Sequence, residues 1–443
     1  MMRKNFSARV LRCAGALVLW CSSALVLGAG SAFAQSPLTM DQVVRVAVER
    51  HPAIREAAAR VDEARGLARQ AGTGSNPEVG YFVGDLGTGN GSPAGKHGAF
   101  LEVPIALGGR LGAARTAGDA LVASREAALG VVRRAVIVDT GTRWLAVAVA
   151  ARRADAESSL VTLAEEGVDI AGKLYNVGLI DRADVLDAEA AAAEARAHRD
   201  DARAALDAAW EHLANIMGQP DLDRSRAPQL PNLPALTRDE ARSRVMASSP
   251  ELEAARRGVA RQQALLSASQ KGIWPDLTLK GEAWFDRERG PDDGRAKGWG
   301  FGAEAGIRLP IVNRNAGNIL AAGAAVRVAE AALARVDTEM TDAFAQAWAA
   351  YAGAAARATA LETDVLPRAE EAYRLYLENF QQMSSPYPQV LMARERLIRT
   401  RQALAEALEL AWTKWVWLTS GAQGTSGAQE TSGAQETYGA QGL

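Results

Sequence analysis

The segment LTMDQVVRVAVERHP at residues 38–52 returns, altered but in register, as LTRDEARSRVMASSP at residues 236–250. Leu38, Thr39, Asp41 and Pro52 match Leu236, Thr237, Asp239 and Pro250, each 198 positions on. The same offset carries Ala57, Val61, Leu67, Gly74 and Pro77 onto Ala255, Val259, Leu265, Gly272 and Pro275. An ungapped register held over about 40 residues points to internal duplication, and at this period the units are two large structural repeats. Whatever the chain folds into is therefore built from two copies of one plan.

Each copy opens with a helix-start signal. Thr39 followed by Gln42, and Thr237 followed by Glu240, have the spacing of a capping box, which satisfies free backbone N–H groups. His51-Pro52 and Ser249-Pro250 then stop these helices, because a residue before proline avoids the α region. A second helix is expected at about 53–72 and 251–271. Beyond it the hydrophobic period changes to two. In LTLKGEAWF (277–285), Leu277, Leu279, Ala283 and Phe285 alternate with Thr278, Lys280 and Glu282. In WGFGAEAGIRL (299–309), Trp299, Phe301, Ala303, Ala305, Ile307 and Leu309 alternate with glycines, Glu304 and Arg308. PEVGYFVG (77–84) and AFLEVPI (99–105) are a weaker version in the first repeat. Such alternation means strands with one apolar and one polar face, expected at about 77–86, 99–107, 275–286 and 298–309. Loops 85–98 and 286–298, rich in Gly, Asp, Ser and Pro, join them as hairpins.

A soluble sandwich with its apolar face inward uses the same alternation, but two strands per repeat are too few to build one. The strands run about 10 residues, the length a tilted strand needs to cross a bilayer. Four strands do not close a barrel, and an open edge is not tolerated in lipid. A membrane barrel would have to be shared by several chains.

After each strand pair comes a long helical stretch. Residues 112–177 contain no proline, and 182–217 continue the same composition beyond Gly178-Leu179-Ile180-Asp181. A helix of about 65 residues is roughly 100 Å long. Ordinary helices have about 11–12 residues, so this one requires coiled-coil or helical-barrel packing. Its counterpart lies at 317–381 and 388–418, with Pro367 expected to kink the first of these. Small residues, dense in AAAAEARAHRDDARAALDAA (190–209), allow helices to approach closely.

The first 34 residues stand apart. Arg3, Lys4, Arg9 and Arg12 form a positive region, AGALVLWCSSALVLGAG an apolar one, and Ser31-Ala32-Phe33-Ala34 a small-residue cleavage site before Gln35. Together they read as an export signal that is removed. Trp20 precedes Cys21 where lipoprotein processing needs a small side chain, so acylation is not expected. Removal takes four positive charges and no acids, moving the formal net charge from −2 to −6, and takes both cysteines, Cys13 and Cys21. The mature chain would then have no disulfide or thiolate chemistry. It also lacks a further apolar run long enough for a transmembrane helix. At the other end, TSGAQG, TSGAQE, TSGAQE and TYGAQG repeat from Thr419 to Gly442. They offer almost no apolar surface, and a disordered tail is expected.

This doubled plan resembles the TolC family of outer-membrane efflux channels over roughly residues 38–421. Leu174-Tyr175-Asn176-Val177-Gly178-Leu179, followed by Ala183-Asp184-Val185-Leu186-Asp187-Ala188, is similar to the family's hairpin-tip signature. GSNPEV (74–79), PIALGGR (104–110) and LPIVNRNAGNI (309–319) look like its heavy-metal, CzcC-like (cobalt-zinc-cadmium) branch. The resemblance implies a mainly α chain with a membrane β-barrel. Four strands per chain would contribute to a 12-stranded outer-membrane barrel of a homotrimer, and long antiparallel hairpins would continue it as a periplasmic α-barrel. On this reading 35–217 and 236–418 are the repeats, 218–235 links them and 419–443 is the tail.

The resemblance also implies a passive exit duct in a tripartite efflux system. An inner-membrane RND-type pump would supply it through a periplasmic membrane-fusion adaptor, with divalent heavy-metal cations as cargo. A drug-efflux or type I secretion channel has the same fold. A soluble periplasmic coiled-coil adaptor is an alternative of another class, and it leaves four amphipathic strands unexplained.

Nothing points to catalysis. No G-x-S-x-G elbow is present, and GTGNGSPAG (87–95) lacks the Lys-Ser/Thr of a phosphate loop. The four histidines, His51, His97, His198 and His212, form no H-x-x-x-H pair, and His97 falls in an expected loop. No cofactor, soft-metal site or nucleic-acid partner is expected, and outer-membrane lipid is the remaining contact. By the resemblance, Asp184 and Asp187 belong at the periplasmic entrance, where carboxylates from three chains would favour cations. The family's acidic ring lies in the second repeat, which here reads Ser384-Ser385-Pro386-Tyr387-Pro388-Gln389-Val390-Leu391-Met392, without an acid. Arg182 and Arg394, near the tips, are expected to form gate-locking ion pairs. On the strands, Asp276, Thr278, Lys280, Glu282, Glu304 and Arg308 are expected on a lumen-lining polar face, with Phe82, Trp284 and Trp299 in aromatic girdles.

Overall fold

The computed structural model describes residues 37–84, 95–230, 232–286, 298–382, 384 and 387–433. The expected signal at 1–34 and most of both strand-joining loops lie outside them. The first repeat runs α1 (Met40–Arg50), α2 (Pro52–Ala71), β1 (Glu78–Gly84), β2 (Lys96–Ala106), α3 (Arg110–Asn176) and α4 (Arg182–Met217). The second runs α5 (Arg238–Ala247), α6 (Pro250–Lys271), β3 (Asp276–Asp286), β4 (Gly298–Ile307), α7 (Ala316–Ala360), α8 (Leu366–Gln381) and α9 (Tyr387–Gly433).

Both capping boxes form. Thr39 accepts from the Gln42 backbone and Thr237 from that of Glu240, each with the reciprocal bond. The bonds from Thr237 hold the Glu240 carboxyl below its ordinary pKa. His51 caps α2 through Nδ1, which accepts from the Ala53 N–H at 3.2 Å, and Ser249 caps α6.

The four strands form one antiparallel sheet in the order β1-β2-β3-β4. The middle pair, β2 with β3, joins the two repeats from Lys96↔Asp286 to Ala106↔Asp276. β2 begins three residues before its expected start at 99, because Lys96, His97 and Gly98 are paired on both sides. Below the sheet, α2 packs on α3, α3 on α6 and α6 on α7. The helical layer thus repeats the order of the strands above it, and α2 and α7 are its outer members.

α3 has 67 residues, roughly 100 Å at about 1.5 Å each. In the second repeat the continuous helix gives way to a five-residue π-turn, Leu361–Val365, ahead of Pro367 in the first turn of α8. The extra residue per turn absorbs the backbone bond that proline does not make. Further down, α3, α4, α8 and α9 pack together. Alanines carry the close approaches, with Ala192 and Ala195 of α4 buried against Val161 and Ala164 of α3.

Two mirrored clusters dock the short helices. Leu38 and Val43 bury against Trp144, Leu145, Trp210, Leu213 and Trp412, and Trp144 Nε1 donates to the Leu38 carbonyl at 2.8 Å. Ala241, Val245 and Leu252 bury against Phe344, Tyr351 and Leu418. The Tyr351 hydroxyl donates to the Pro234 carbonyl at 2.9 Å, and burial pushes its pKa up. Leu145, Leu213 and Leu418 are fully buried, each contributing about 1.5–3 kcal/mol.

The repeats are also tied by a buried cation. Arg134 of α3 is 3% exposed. It donates to Glu251 Oε2 at 2.6 Å, to Ser420 Oγ at 3.3 Å and to the Trp417 carbonyl at 3.4 Å. Its guanidinium lies 5.0 Å from the centre of the Trp417 ring. The start of the supposed tail is therefore inside the fold. Thr419 and Ser420 are buried, and α9 runs on to Gly433 where a disordered tail was expected. The apolar run of α9 carries Thr419 and Ser420 into the core, no proline or αL glycine stops the helix at Thr419, and residues 434–443 of the expected tail lie outside the described residues.

Candidate functional site: the polar sheet face and the hairpin tips

Strand alternation and pairing together sort the sheet into two faces. Val79 and Tyr81 of β1, Ala99, Leu101 and Ile105 of β2, Leu279 of β3, and Trp299, Phe301 and Ile307 of β4 are exposed on one. Apart from His97, which reaches the Tyr81 hydroxyl, the described side chains of this face are apolar from edge to edge. The opposite face has a continuous row in which Glu78 pairs with Glu102, Glu102 with Lys280, and Lys280 with Glu304. Lys280 Nζ lies 3.5 Å from Glu282 and 5.0 Å from the centre of the Phe100 ring. Glu78 and Glu102 were missed in the sequence. Glu102 was available, since it stands between Leu101 and Val103 in an alternating run.

The register places the strand residues singled out above as follows. Thr278, Lys280, Glu282 and Glu304 share the polar face, opposite Gly306, Glu304, Gly302 and Lys280 respectively. Asp276 opens β3 on the same face and takes the Arg110 guanidinium at 2.6 Å, which fastens the start of α3 to the sheet. Both partners are about a third exposed, so the pair contributes no more than about 1 kcal/mol. Arg308 lies one residue beyond β4 and is exposed.

The aromatic residues divide differently from the expectation. Trp299 is on the apolar face, edge-on to Phe285 at 5.7 Å. Phe82 and Trp284 are on the polar face, where each ring lies over a glycine of the next strand. A Cβ on Gly98 would meet the Phe82 ring at 2.7 Å, and one on Gly300 the Trp284 ring at 2.4 Å. Both rings therefore cover the polar face of the sheet, opposite the apolar face that carries Trp299. His97 is in β2 and not in a loop, with Nδ1 2.7 Å from the Tyr81 hydroxyl. The pairing of Val83 with His97 extends the ladder beyond the expected start of β2 at 99.

At the first tip, Gly178 takes φ 75 and lets the chain turn. Asp181 caps α4 by accepting from the Asp184 N–H at 3.0 Å. Asp184 is then half-exposed in the first helical turn, and Asp187 is exposed one turn on. Arg182 approaches Glu189 only to 3.9 Å with both side chains in solvent. Arg394 departs from the expected gate pair. It is 7% exposed and donates to the Ala191 carbonyl at 3.0 Å, with no carboxylate at ion-pair distance among the described residues. The helical period turns it toward α4 with Ala393 and Leu397, so it holds α9 against α4. Ser384 is exposed, while Met383, Ser385 and Pro386 of the second tip lie outside the described residues.

Among the described residues no three His, Cys, Asp or Glu side chains are grouped to hold a metal ion, and no helix is long and apolar enough to cross a membrane. The arrangement provides a two-faced sheet above a wall of very long helices.

Known proteins carry the same arrangement. The chain is 26% identical over 369 residues to the cobalt-zinc-cadmium resistance protein CzcC of Cupriavidus metallidurans, covering 83% of this chain and 86% of that one. The outer-membrane channel OprN superposes with a TM-score of 0.69 at 21% identity, over 86% of this chain and 89% of that one. VceC, an outer membrane protein of Vibrio cholerae, does so with a TM-score of 0.64 at 20% identity, over 86% and 95%. The outer membrane efflux protein family matches residues 43–219 and 241–420, one match for each repeat. The chain belongs to the outer membrane efflux protein family, resembles its TolC-type heavy-metal branch, and resides in the outer membrane with its helices extending into the periplasm.

Proposed function

We propose that three copies of this chain close side by side into one trimeric channel, a passive exit duct for divalent heavy-metal cations. The observation that carries this reading is the pair of matched open edges. β1 and α2 lie at one side of the chain, β4 and α7 at the other. A strand edge left open in lipid costs several kcal/mol per unpaired group. Joining β4 of one copy to β1 of the next satisfies both edges with a single repeated contact, and such a contact closes as a ring. Leu67 on α2 and Leu320 and Val328 on α7 are 54%, 72% and 70% exposed, which supports a further helix packing there. Three chains of four strands would give the 12-stranded barrel, with the polar face turned to the lumen.

Cation cargo is supported by the chemistry of that face, where Glu78, Glu102, Asp276, Glu282 and Glu304 outnumber Lys96 and Lys280. The relative named for cobalt, zinc and cadmium resistance points the same way. On this reading a periplasmic membrane-fusion adaptor docks on the hairpin tips and an inner-membrane RND-type pump supplies the driving force. Deleting the gene is expected to sensitise the host to zinc, cobalt or cadmium. Sensitivity to organic drugs alone would contradict the cargo assignment.

Asp184 and Asp187, with Arg182 beside them, rim the periplasmic entrance in this proposal. Three copies of two carboxylates there would attract and retain cations. Asp184→Asn combined with Asp187→Asn is expected to lower cation block of the conductance, and unchanged block removes these residues from the gate.

A further inference from the structure

We propose that the cleft between α2 and α3, just below the sheet, binds the phosphate of an anionic phospholipid in the periplasmic leaflet. This rests on the strands crossing the outer membrane. The cleft has a volume of about 570 Å³. Its charged lining consists of Arg65, Arg69, Arg115, Asp119 and Glu126. Arg65 is committed to Glu126 at 2.9 Å and Asp62 at 3.0 Å, and these bonds raise its pKa further. Arg69 and Arg115 are exposed and have no carboxylate at ion-pair distance among the described residues. Asp119 is the one acid left to oppose them. Two guanidinium forks beside a single carboxylate in one cleft match a phosphate monoanion in charge, and each fork offers paired donors to its oxygens.

Position selects lipid as the source of that phosphate. Arg110, the first residue of α3, reaches Asp276 on the polar face. Arg115 is five residues on, about 140° further round the helix and about 7 Å further along it. It therefore lies on the other side of the wall, beneath the apolar face. That face ends at Ile105, Leu277 and Ile307, and the cleft opens within the first helical turns below. This is the depth at which lipid headgroups meet a barrel.

The second repeat has its own unpaired cations at the same junction. Lys271 ends α6 and Arg314 precedes α7, brought together by Asn315 Nδ2 donating to the Ser269 carbonyl at 2.8 Å. Neither has a carboxylate at ion-pair distance among the described residues. Ile311 and Val312 beside them are 71% and 98% exposed. Apolar side chains next to cations are the pattern of a segment seated in an interface.

The test uses the full chain, purified in neutral detergent and stripped of endogenous lipid, beside the double variant Arg69→Gln/Arg115→Gln. Each is titrated with phosphatidylglycerol, phosphatidylcholine and inorganic phosphate and read by native mass spectrometry. Phosphatidylglycerol is expected to bind in preference to phosphatidylcholine, and about thirtyfold more weakly to the double variant. Inorganic phosphate should be retained by neither protein. Equal phosphatidylglycerol affinity in the two proteins overturns the proposal. So does inorganic phosphate bound as tightly as the lipid, which would assign the cleft to free anions. The variant Arg152→Gln/Arg153→Gln, which removes two exposed cations elsewhere on α3, should leave affinity unchanged, and an equal loss there also overturns it. Membrane fractionation separates this from the underlying reading. Wild-type protein in the soluble fraction overturns the barrel itself, whereas outer-membrane recovery with unchanged lipid binding overturns the cleft alone.

Discussion

Gly108→Ala is expected to destabilise the folded chain by about 3 kcal/mol or more, with loss of mature protein from the outer membrane. Two costs add at this position. Gly108 sits at φ +67, where an L side chain costs about 1–2 kcal/mol. A Cβ there would also lie 2.0 Å from Trp274 Cγ, and relieving such an overlap typically costs a further 1–3 kcal/mol or so. Trp274 stands between α6 and β3 while Gly108 stands between β2 and α3. The overlap therefore falls where the two repeats meet at the base of the sheet. Gly109 is also left-handed at φ +74, but a Cβ there would meet nothing within 4 Å, so Gly109→Ala should show only the backbone cost. Thermal unfolding in detergent distinguishes these cases. Adding Trp274→Ala to Gly108→Ala should restore the steric part, and a wild-type melting profile for Gly108→Ala alone would show that the assigned contact does not constrain the turn.

The second large effect is expected at Glu251. Removing it with Glu251→Ala leaves the Arg134 guanidinium buried and without its carboxylate. Breaking one side of a buried pair costs about 3–5 kcal/mol, here nearer the lower figure because Glu251 is 31% exposed. Ser249, which donates to the same Glu251 oxygen at 2.7 Å, loses its acceptor too. Glu126→Ala is the comparison, since the Arg65–Glu126 pair is 54% and 49% exposed and should cost less than about 1 kcal/mol. In a double-mutant cycle, Arg134→Ala with Glu251→Ala should be less harmful than the sum of the two. Equal melting shifts for Glu251→Ala and Glu126→Ala would contradict the buried role of Arg134.

Much of the fold was legible because its signals are local. Thr39 and Thr237 mark helix starts by spacing, and Thr278, Lys280 and Glu282 mark a strand face by parity. Trp284 continues that parity, so its side of the sheet could have been read. Aromatic identity suggests a girdle, whereas position along the strand decides the face. The row from Glu78 to Glu304 is different in kind. It depends on β2 pairing with β3, and no feature within either strand specifies the register between residues so far apart. Arg134 and Arg394 were obscure for a related reason. Each lies in a charged helical stretch, and only the partner helices decide that it is buried. Thr419 and Ser420 carry the composition of a loose tail, yet Arg134 and the end of α9 draw them into the core.

Closure of one channel by identical chains underlies every role given to lumen, edge and tip. The most direct measurement examines the detergent-purified protein for its assembled mass and then for single-channel conductance in planar bilayers. A trimer that produces discrete conductance steps is expected. A monomer that leaves the bilayer silent would contradict it.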